Sequence, residues 1–231
     1  ALQRLRRRIQ RAWASRSLER WSAEIEAALR QVWPGMDGFE HPADRQLAPE
    51  EMEILLGIAD LQPAERKLGF RLMACRAGPP PWDLRHEPAN RRFIARMEAQ
   101  GIDMRPWLDG HGAVERTGPS GRTVRLAFED DPLEIFRMGD HFGTCLSRGC
   151  DNFFSVVANA ADVNKRVLYA RGPAGEVVGR CLGAITDAGT LLAFHPYCHD
   201  SGLDFGRMVG DWMLDLAGRM RTSVAPSGRV S

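Results

Sequence analysis

Lysine and long apolar runs are nearly absent from this sequence. Lys67 and Lys165 are the only lysines among 31 basic residues, a bias that codon usage in a GC-rich genome explains more often than function does. No stretch approaches the roughly 20 apolar residues that span a bilayer, and the N-terminus lacks the apolar core of a signal peptide. We therefore expect a cytoplasmic protein with no membrane partner.

An excess of either charge is also missing. The chain of 231 residues carries a formal net charge of +1, so no overall field favours nucleic acid or an acidic surface. The length suits one large domain or two small ones. Because Ala1 is not a start methionine and the last residues complete no helix or strand, we expect the chain to belong to a longer polypeptide.

Cysteine is present in an odd number and without a secretion signal. The five are Cys75, Cys145, Cys150, Cys181 and Cys198. This pattern predicts reduced intracellular thiols rather than a disulfide framework.

Residues 1–110 are expected to form a helical region. Apolar residues recur at spacings close to 3.6 over residues 2–32, which predicts one helix or two joined helices. Further helices are expected from Pro49 to Asp60, from Pro63 to just before Gly78, and over Ala89–Gln100. The first helix also carries the eight arginines found among residues 1–30. It could follow the phosphates of a nucleic acid or contact a protein partner, although a solvated face is the commoner role.

Residues 120–222 predict an α+β domain that carries the Cys/His-rich segment. Four stretches read as strands: "RTVRLAF", "RVLYAR", "EVVGRCLGAIT" and "TLLAFH". The second and third are joined by "GPAG" as a hairpin. "DPLEIF" shows a capping-box pattern, with Asp131 as N-cap and Glu134 three residues on, and residues 203–220 form an amphipathic helix. The expected fold is a helical N-terminal part, then a small, mainly antiparallel sheet with a closing C-terminal helix.

Two clusters of chemically active side chains, Gly139–Asn152 and His195–Asp200, mark the candidate site. Glycines interrupt the first cluster and permit close backbone approach or positive φ. In one hypothesis Cys145 is a nucleophile, His195 or His199 is its base, and Asp151 or Asn152 orients the imidazole. A Cys–His pair makes thiolate available near neutral pH.

A zinc site is the second hypothesis, and zinc is the only cofactor that the sequence suggests. Cys145, Cys150, Cys198 and His199 would supply four ligands of the kind that tetrahedral zinc prefers. Their spacing is not the tight C-x2-C of the strongest zinc motifs. Packing is the plain alternative, since free cysteine often acts as a small buried hydrophobe. We expect this role for Cys75 and Cys181.

Two families resemble parts of the chain. "RVLYARGPAGEVVGRCLGAIT", followed by a strand and a helix, resembles the core of GNAT acetyltransferases, whose phosphate loop would correspond to Cys198–Gly206. That resemblance implies a degenerate GNAT-like acyltransferase. "DPLEIFRMGDHFGTCLS", "NAADVNKRVLYAR" and "FHPYCHD" distantly resemble the cysteine-containing domain of PcfJ-like proteins of bacterial mobile elements, over roughly residues 80–220. The second resemblance supports the position of the site.

The leading hypothesis is therefore an intracellular domain of a larger protein with a Cys/His-centred site. It would act as a cysteine-nucleophile hydrolase or transferase. The alternative is a zinc-stabilised, nucleic-acid-binding or protein-binding module without catalysis.

Overall fold

The computed structural model describes residues 48–74, 76, 83–110 and 112–230. The predicted Arg-rich helix over residues 2–32 and the predicted packing of Cys75 lie outside these residues. The α-helices within them are α1 (Pro49–Ala59), α2 (Pro63–Ala74), α3 (Pro88–Ala99), α4 (Arg105–Leu108), α5 (Pro132–Phe136), α6 (Phe154–Ala161) and α7 (Phe205–Met220). No helix in this part of the chain combines the length and the apolar character that crossing a membrane requires.

An antiparallel sheet organises these helices. Its strands are β1 (Val114–Thr117), β2 (Thr123–Phe128), β3 (Lys165–Arg171), β4 (Val177–Ile185), β5 (Leu191–Ala193) and β6 (Tyr197–Cys198). They run in the order β1-β2-β3-β4-β5, and β6 pairs with β4. The short strands β5 and β6 pair with different stretches of β4, at Gly183–Ile185 and at Gly179–Arg180.

Helices cover both faces of the sheet. On one face, α1, α2, α5 and α6 pack in an apolar cluster with Val167 and Tyr169 of β3. On the other, α3, α4 and α7 pack with Leu168 and Ala170. Successive strand residues point to opposite faces, so neighbours in β3 belong to different cores. The first face also carries the candidate site.

The predicted α+β architecture is confirmed, with the helical part first and a helix closing the chain. The β3–β4 hairpin forms at the predicted place, and the apolar stripe predicted for α7 is buried. The patterns miss β1, α6 and β6, and the predicted loop after α3 contains α4. These elements are short, and the N-cap of α6, Phe153, has no side-chain hydrogen bond. The predicted boundary between residues 1–110 and 120–222 stays a prediction.

A capped turn begins α5, just before the loop that carries Cys145. The Asp131 carboxylate accepts a hydrogen bond from Leu133 N at 2.9 Å, as the capping pattern predicts. The second half of the predicted capping box is different, because Glu129 rather than Glu134 accepts from Asp131 N, at 2.8 Å. This leaves the Glu134 carboxylate for other partners.

Replacing Asp131 by Ala should destabilise the fold by about 1–2 kcal/mol, because an N-cap is lost together with the ion pair that Arg76 Nε makes at 2.6 Å. Asp131→Asn is the matched control, since an amide oxygen still caps the helix while the negative charge is gone. Urea unfolding should rank wild type above Asn above Ala. Equal losses for the two variants would show that the ion pair, not the cap, stabilises this turn.

Candidate active site

A row of three side chains crosses the sheet on the face covered by α5. In the antiparallel registers, Arg180 of β4 lies opposite Tyr169 of β3 and opposite Tyr197 of β6. Directly opposite residues project to the same face, so the arginine lies between the two tyrosines. These are the only tyrosines in the chain.

Arg180 is the one arginine among the buried residues of the described part, with 4% exposure. Its Nη1 donates to the carbonyl of Met138 at 2.5 Å. Its guanidinium carbon lies 4.4 Å from the Tyr197 ring centroid and 5.5 Å from that of Phe142. Burial lowers the pKa of Arg180, against the opposing effect of Tyr169 and other groups.

No described carboxylate forms an ion pair with Arg180. Two other arginines of the described residues do have such partners. Arg171 pairs with Glu129 at 2.6 Å, and Arg148 pairs with Asp140 at 2.6 Å. An unpaired buried charge is costly, on the order of several kcal/mol. Arg180 is therefore an unusual group to keep in a core.

A tight loop over residues 137–147 lies above this row. A Cβ on Gly139 would lie 2.1 Å from the backbone carbon of Leu146 and 2.2 Å from Ser147 N. Gly143 has a φ of 57°, in the left-handed region that glycine adopts most easily. The positive φ that glycine permits is thus found at Gly143, and at Gly139 the close approach is between two segments of the chain.

His141 of this loop contacts Glu134 of α5. His141 Nε2 lies 3.2 Å from a Glu134 carboxylate oxygen. A carboxylate only accepts, so Nε2 carries the proton and Nδ1 is the basic nitrogen of the neutral ring. Nδ1 has no hydrogen-bond partner in the part of the chain that the structure describes. An imidazole held by a carboxylate in this way is the arrangement of a general base.

The carboxylate of Glu134 is well stabilised in its charged form. The hydrogen bond from His141, followed by the charge of Arg137, lowers the pKa of Glu134 to about 2, against burial, which raises it. Arg171 also donates to it, at 3.3 Å. Tyr169 fixes the backbone of the same residue, because its hydroxyl donates to the Glu134 carbonyl at 2.8 Å. Burial raises the pKa of Tyr169 well above its usual range, so the hydroxyl stays protonated.

Cys145 follows His141 by four residues in the same loop and is exposed. Arg180 contacts the same loop, through the Met138 carbonyl and the Phe142 ring. The preceding residue, Thr144, has a buried hydroxyl oxygen without a hydrogen-bond partner among the described residues. A thiol and an imidazole held by a carboxylate thus lie in one loop, and an unpaired cation of β4 contacts that loop.

The two histidines proposed as bases from the sequence lie at the rim of this site. His199 Nε2 donates to the carbonyl of His141 at 2.8 Å, and its ring stacks on Phe142 at 4.4 Å. His195 meets Tyr197 edge-on at 5.0 Å. Both are exposed, and no Asp or Glu of the described residues forms a hydrogen bond with either.

Asp151 and Cys150 face a different part of the molecule. Both line a cavity of about 360 Å³ together with Asp60 and Glu65 from the α1–α2 region. Arg148 holds the segment that follows the loop, since it pairs with Asp140 and with Glu53 of α1. The structure therefore does not bring Asp151 to the histidine rings that it was expected to orient.

The four side chains of the zinc hypothesis do not converge. Within residues 48–230, the described ones contain no group of three or more His, Cys, Asp or Glu side chains that could hold a metal ion. The Cys198 sulfur instead lies 3.2 Å from the Asp200 carbonyl. Cys181 is buried, as expected, and burial raises its pKa to about 12.

The turn that the GNAT resemblance would assign to phosphate is acidic and internally bonded. The Asp200 carboxylate accepts from Gly202 N at 2.8 Å and pairs with Arg122 at 3.0 Å. This geometry gives the GNAT hypothesis no support.

A larger cavity, about 640 Å³, lies near the start of β3 and is not lined by Cys145. Lys165 and Arg85, which line it, pair with Asp162 and Asp83. The thiol and the unpaired arginine are elsewhere, so the site on the sheet is the better candidate for chemistry.

Sequence reasoning finds Cys145 but assigns no role to Arg180, Glu134 or His141. Arg180 lies in a strand-like stretch among many arginines, and only its pairing with both tyrosines distinguishes it. Glu134 fits a capping pattern. His141 could have been found, since it precedes Cys145 by four residues within the glycine-rich cluster.

Comparison with protein families, with curated proteins and with solved structures finds no match to this chain.

Gly139→Ala should destabilise the protein by about 2 kcal/mol or more, because backbone atoms of Leu146 and Ser147 cannot move aside without opening the loop. Gly210→Ala in α7 is the control, since a Cβ there meets no described atom within 4 Å and alanine favours helix. Thermal unfolding should separate the two. An unchanged free energy of unfolding for Gly139→Ala would show that the loop has room for a Cβ at this position.

Glu134→Gln should cost on the order of 2 to 3 kcal/mol at pH 7. The folded-state pKa of Glu134 is about 2, below its ordinary value of 4.5. Its charge therefore stabilises the fold above about pH 4.5, and this contribution is lost as the pH falls towards 2. The difference from wild type in urea unfolding should shrink between pH 5 and pH 3.

Glu115→Gln is the matched control for this charge change, because Glu115 is exposed on β1. It should have little effect at either pH. A loss for Glu134→Gln that is as large at pH 3 as at pH 7 would mean that shape, not charge, matters at this position.

Proposed function

We propose that this chain is an intracellular cysteine-nucleophile hydrolase or transferase domain, with Cys145 as nucleophile and His141 as its base. The observation that carries the proposal is the 3.2 Å contact between His141 and Glu134 in the loop that also holds Cys145. The distant resemblance to PcfJ-like proteins concerns the same loop. The free thiols at positions 145, 150, 181 and 198 suit a reducing compartment.

The reaction follows from the protonation states of the loop. As the Cys145 sulfur bonds to an electrophilic carbon of the substrate, its proton passes to His141 Nδ1. Glu134 stabilises the imidazolium that results. The bond between that carbon and the leaving group then breaks, and His141 gives its proton to the leaving group. Water or an acceptor molecule next attacks the carbon bound to sulfur, its proton passes through His141 to the sulfur, and Cys145 departs as the thiol.

His141 is favoured over His199 and His195 by its carboxylate. All three rings lie near the site, but an imidazolium at His141 is stabilised by a full negative charge. His199 instead has a neutral backbone carbonyl as partner, at 2.8 Å. A hydrogen bond to an ionised partner is roughly twice as strong as a neutral one.

The proposal predicts that Cys145 reacts with iodoacetamide at pH 7 about tenfold faster than Cys150, because a nearby base activates the thiol. Cys150 is an internal control, since it is also exposed and lies in the same segment. Peptide mapping by mass spectrometry gives both rates in one sample of the full chain. Equal rates would overturn the nucleophile assignment.

His141→Asn should bring the rate of Cys145 close to that of Cys150, because asparagine cannot accept the proton. His195→Asn and His199→Asn are the matched variants and should leave most of the rate. If one of them abolishes the difference while His141→Asn retains it, the base is the histidine expected from the sequence and not His141.

A further inference from the structure

We infer that Arg180 binds a carboxylate group of the substrate, and that the Cys145 site therefore acts on molecules with a carboxylate near the reacting carbon. The inference rests on the proposed function, because it names the substrate class of the same site. It depends on the partners of the guanidinium and on the side chains around it.

The hydrogen-bonding capacity of Arg180 is largely unused. A guanidinium offers five N–H donors, and Nη1 donates to the Met138 carbonyl. Nε and Nη2 have no hydrogen-bond partner in the described residues. These two nitrogens form one edge of the fork that binds a carboxylate through two parallel hydrogen bonds.

The single positive charge of Arg180 favours a ligand group that carries one negative charge. Nearby Arg171 is already paired with Glu129 and Glu134, so it adds no free charge to the site. One uncompensated guanidinium matches a carboxylate, which carries one charge, better than a phosphate, which carries up to two at neutral pH. Docking of a carboxylate would also neutralise a charge that is costly to bury unpaired.

The surroundings suit an organic acid rather than an inorganic ion. Rings of Tyr197 and Phe142 lie 4.4 Å and 5.5 Å from the guanidinium carbon and give the site apolar walls. His199 stacks on Phe142 at the rim, and Cys145 is the exposed thiol of the loop whose Met138 and Phe142 contact Arg180. The carbon chain of a small acid would lie along these rings while its carboxylate meets Arg180.

Competition on the wild-type chain tests this without any variant. Sodium propionate, a carboxylate that cannot react with a thiol, should slow the alkylation of Cys145 by iodoacetamide in a saturable way. Sodium chloride at equal ionic strength should not. Stronger protection by inorganic phosphate than by propionate would overturn the carboxylate assignment in favour of phosphate, and no protection by either would overturn the anion site.

A charged electrophile gives a second measurement. Iodoacetate and iodoacetamide differ only in carrying a carboxylate or an amide. For Cys145, we divide the alkylation rate with iodoacetate by the rate with iodoacetamide, and we divide this quotient by the same quotient for free glutathione. The result should be about ten. One favourable charged contact of about 1.4 kcal/mol supplies that factor. Glutathione is the better reference, because Cys150 lies beside Asp60 and Glu65, which repel iodoacetate.

Arg180→Met should remove this preference, and Arg180→Lys should retain part of it, because lysine keeps the charge but not the fork. Arg125→Met is the matched control, since it removes an exposed arginine of β2 and should leave the preference unchanged. If both arginine variants unfold, the competition experiment still decides. A ratio near one in the wild-type chain contradicts the inference.

Failure of this inference and failure of the proposed function are distinguishable. Equal iodoacetamide rates at Cys145 and Cys150 would remove the nucleophile, yet propionate protection of Cys145 would still be measurable. Conversely, a fast Cys145 without protection or charge preference would leave the nucleophile and remove the carboxylate site.

Discussion

The hydrogen bond from Arg180 Nη1 to the Met138 carbonyl joins the central strand to the loop that carries His141 and Cys145. A buried guanidinium loses its hydration, and one neutral acceptor returns only part of that free energy. Two aromatic rings add roughly 0.5–2 kcal/mol each through cation–π contact. The loop, the rings and the arginine therefore stabilise one another, and none of them would keep its place alone.

The antiparallel register explains how so short a strand as β6 contributes to the site. Its two residues pair with Gly179 and Arg180, which is enough to place Tyr197 on the arginine. On the other edge of β4, Tyr169 takes the matching position and reaches back to the Glu134 backbone. The row of Tyr169, Arg180 and Tyr197 thus positions the guanidinium. Through the hydrogen bond of Tyr169 to α5, it also positions Glu134, whose carboxylate holds His141.

Periodicity and capping patterns were sufficient to predict most of the fold. The proline at the start of α2, the cap at Asp131 and the stripe of α7 are local signals, and they depend only on residues close in sequence. β1, α6 and β6 are short, and their boundaries are set by tertiary pairing and packing. Local propensity cannot supply that information.

The site was predictable only in part, for a related reason. A cysteine in a glycine-rich segment is visible in the sequence, and so is the histidine four residues before it. Which histidine has a carboxylate partner depends on α5 folding back under the loop, because Glu134 lies seven residues before His141. The missing partner of Arg180 is a property of the whole described fold, since it requires that no carboxylate approach from any element.

The segment Gly139–Asn152 has two halves that face different parts of the molecule. This explains why the spacing of the possible zinc ligands does not bring them together. Four ligands must point at one centre, whereas Gly139 and Gly143 turn the first half towards β4 and β6. Arg148, paired with Asp140 and with Glu53, holds the second half against α1. Cys150 and Asp151 therefore face the α1–α2 region while Cys145 stays near Arg180.

The same arrangement leaves Cys145 without a competing carboxylate from Asp151. The carboxylates of Glu129 and Glu134 are already paired with Arg171, and that of Asp140 with Arg148. A site that keeps its own carboxylates occupied and one guanidinium unpaired is suited to an anionic substrate more than to a metal cation.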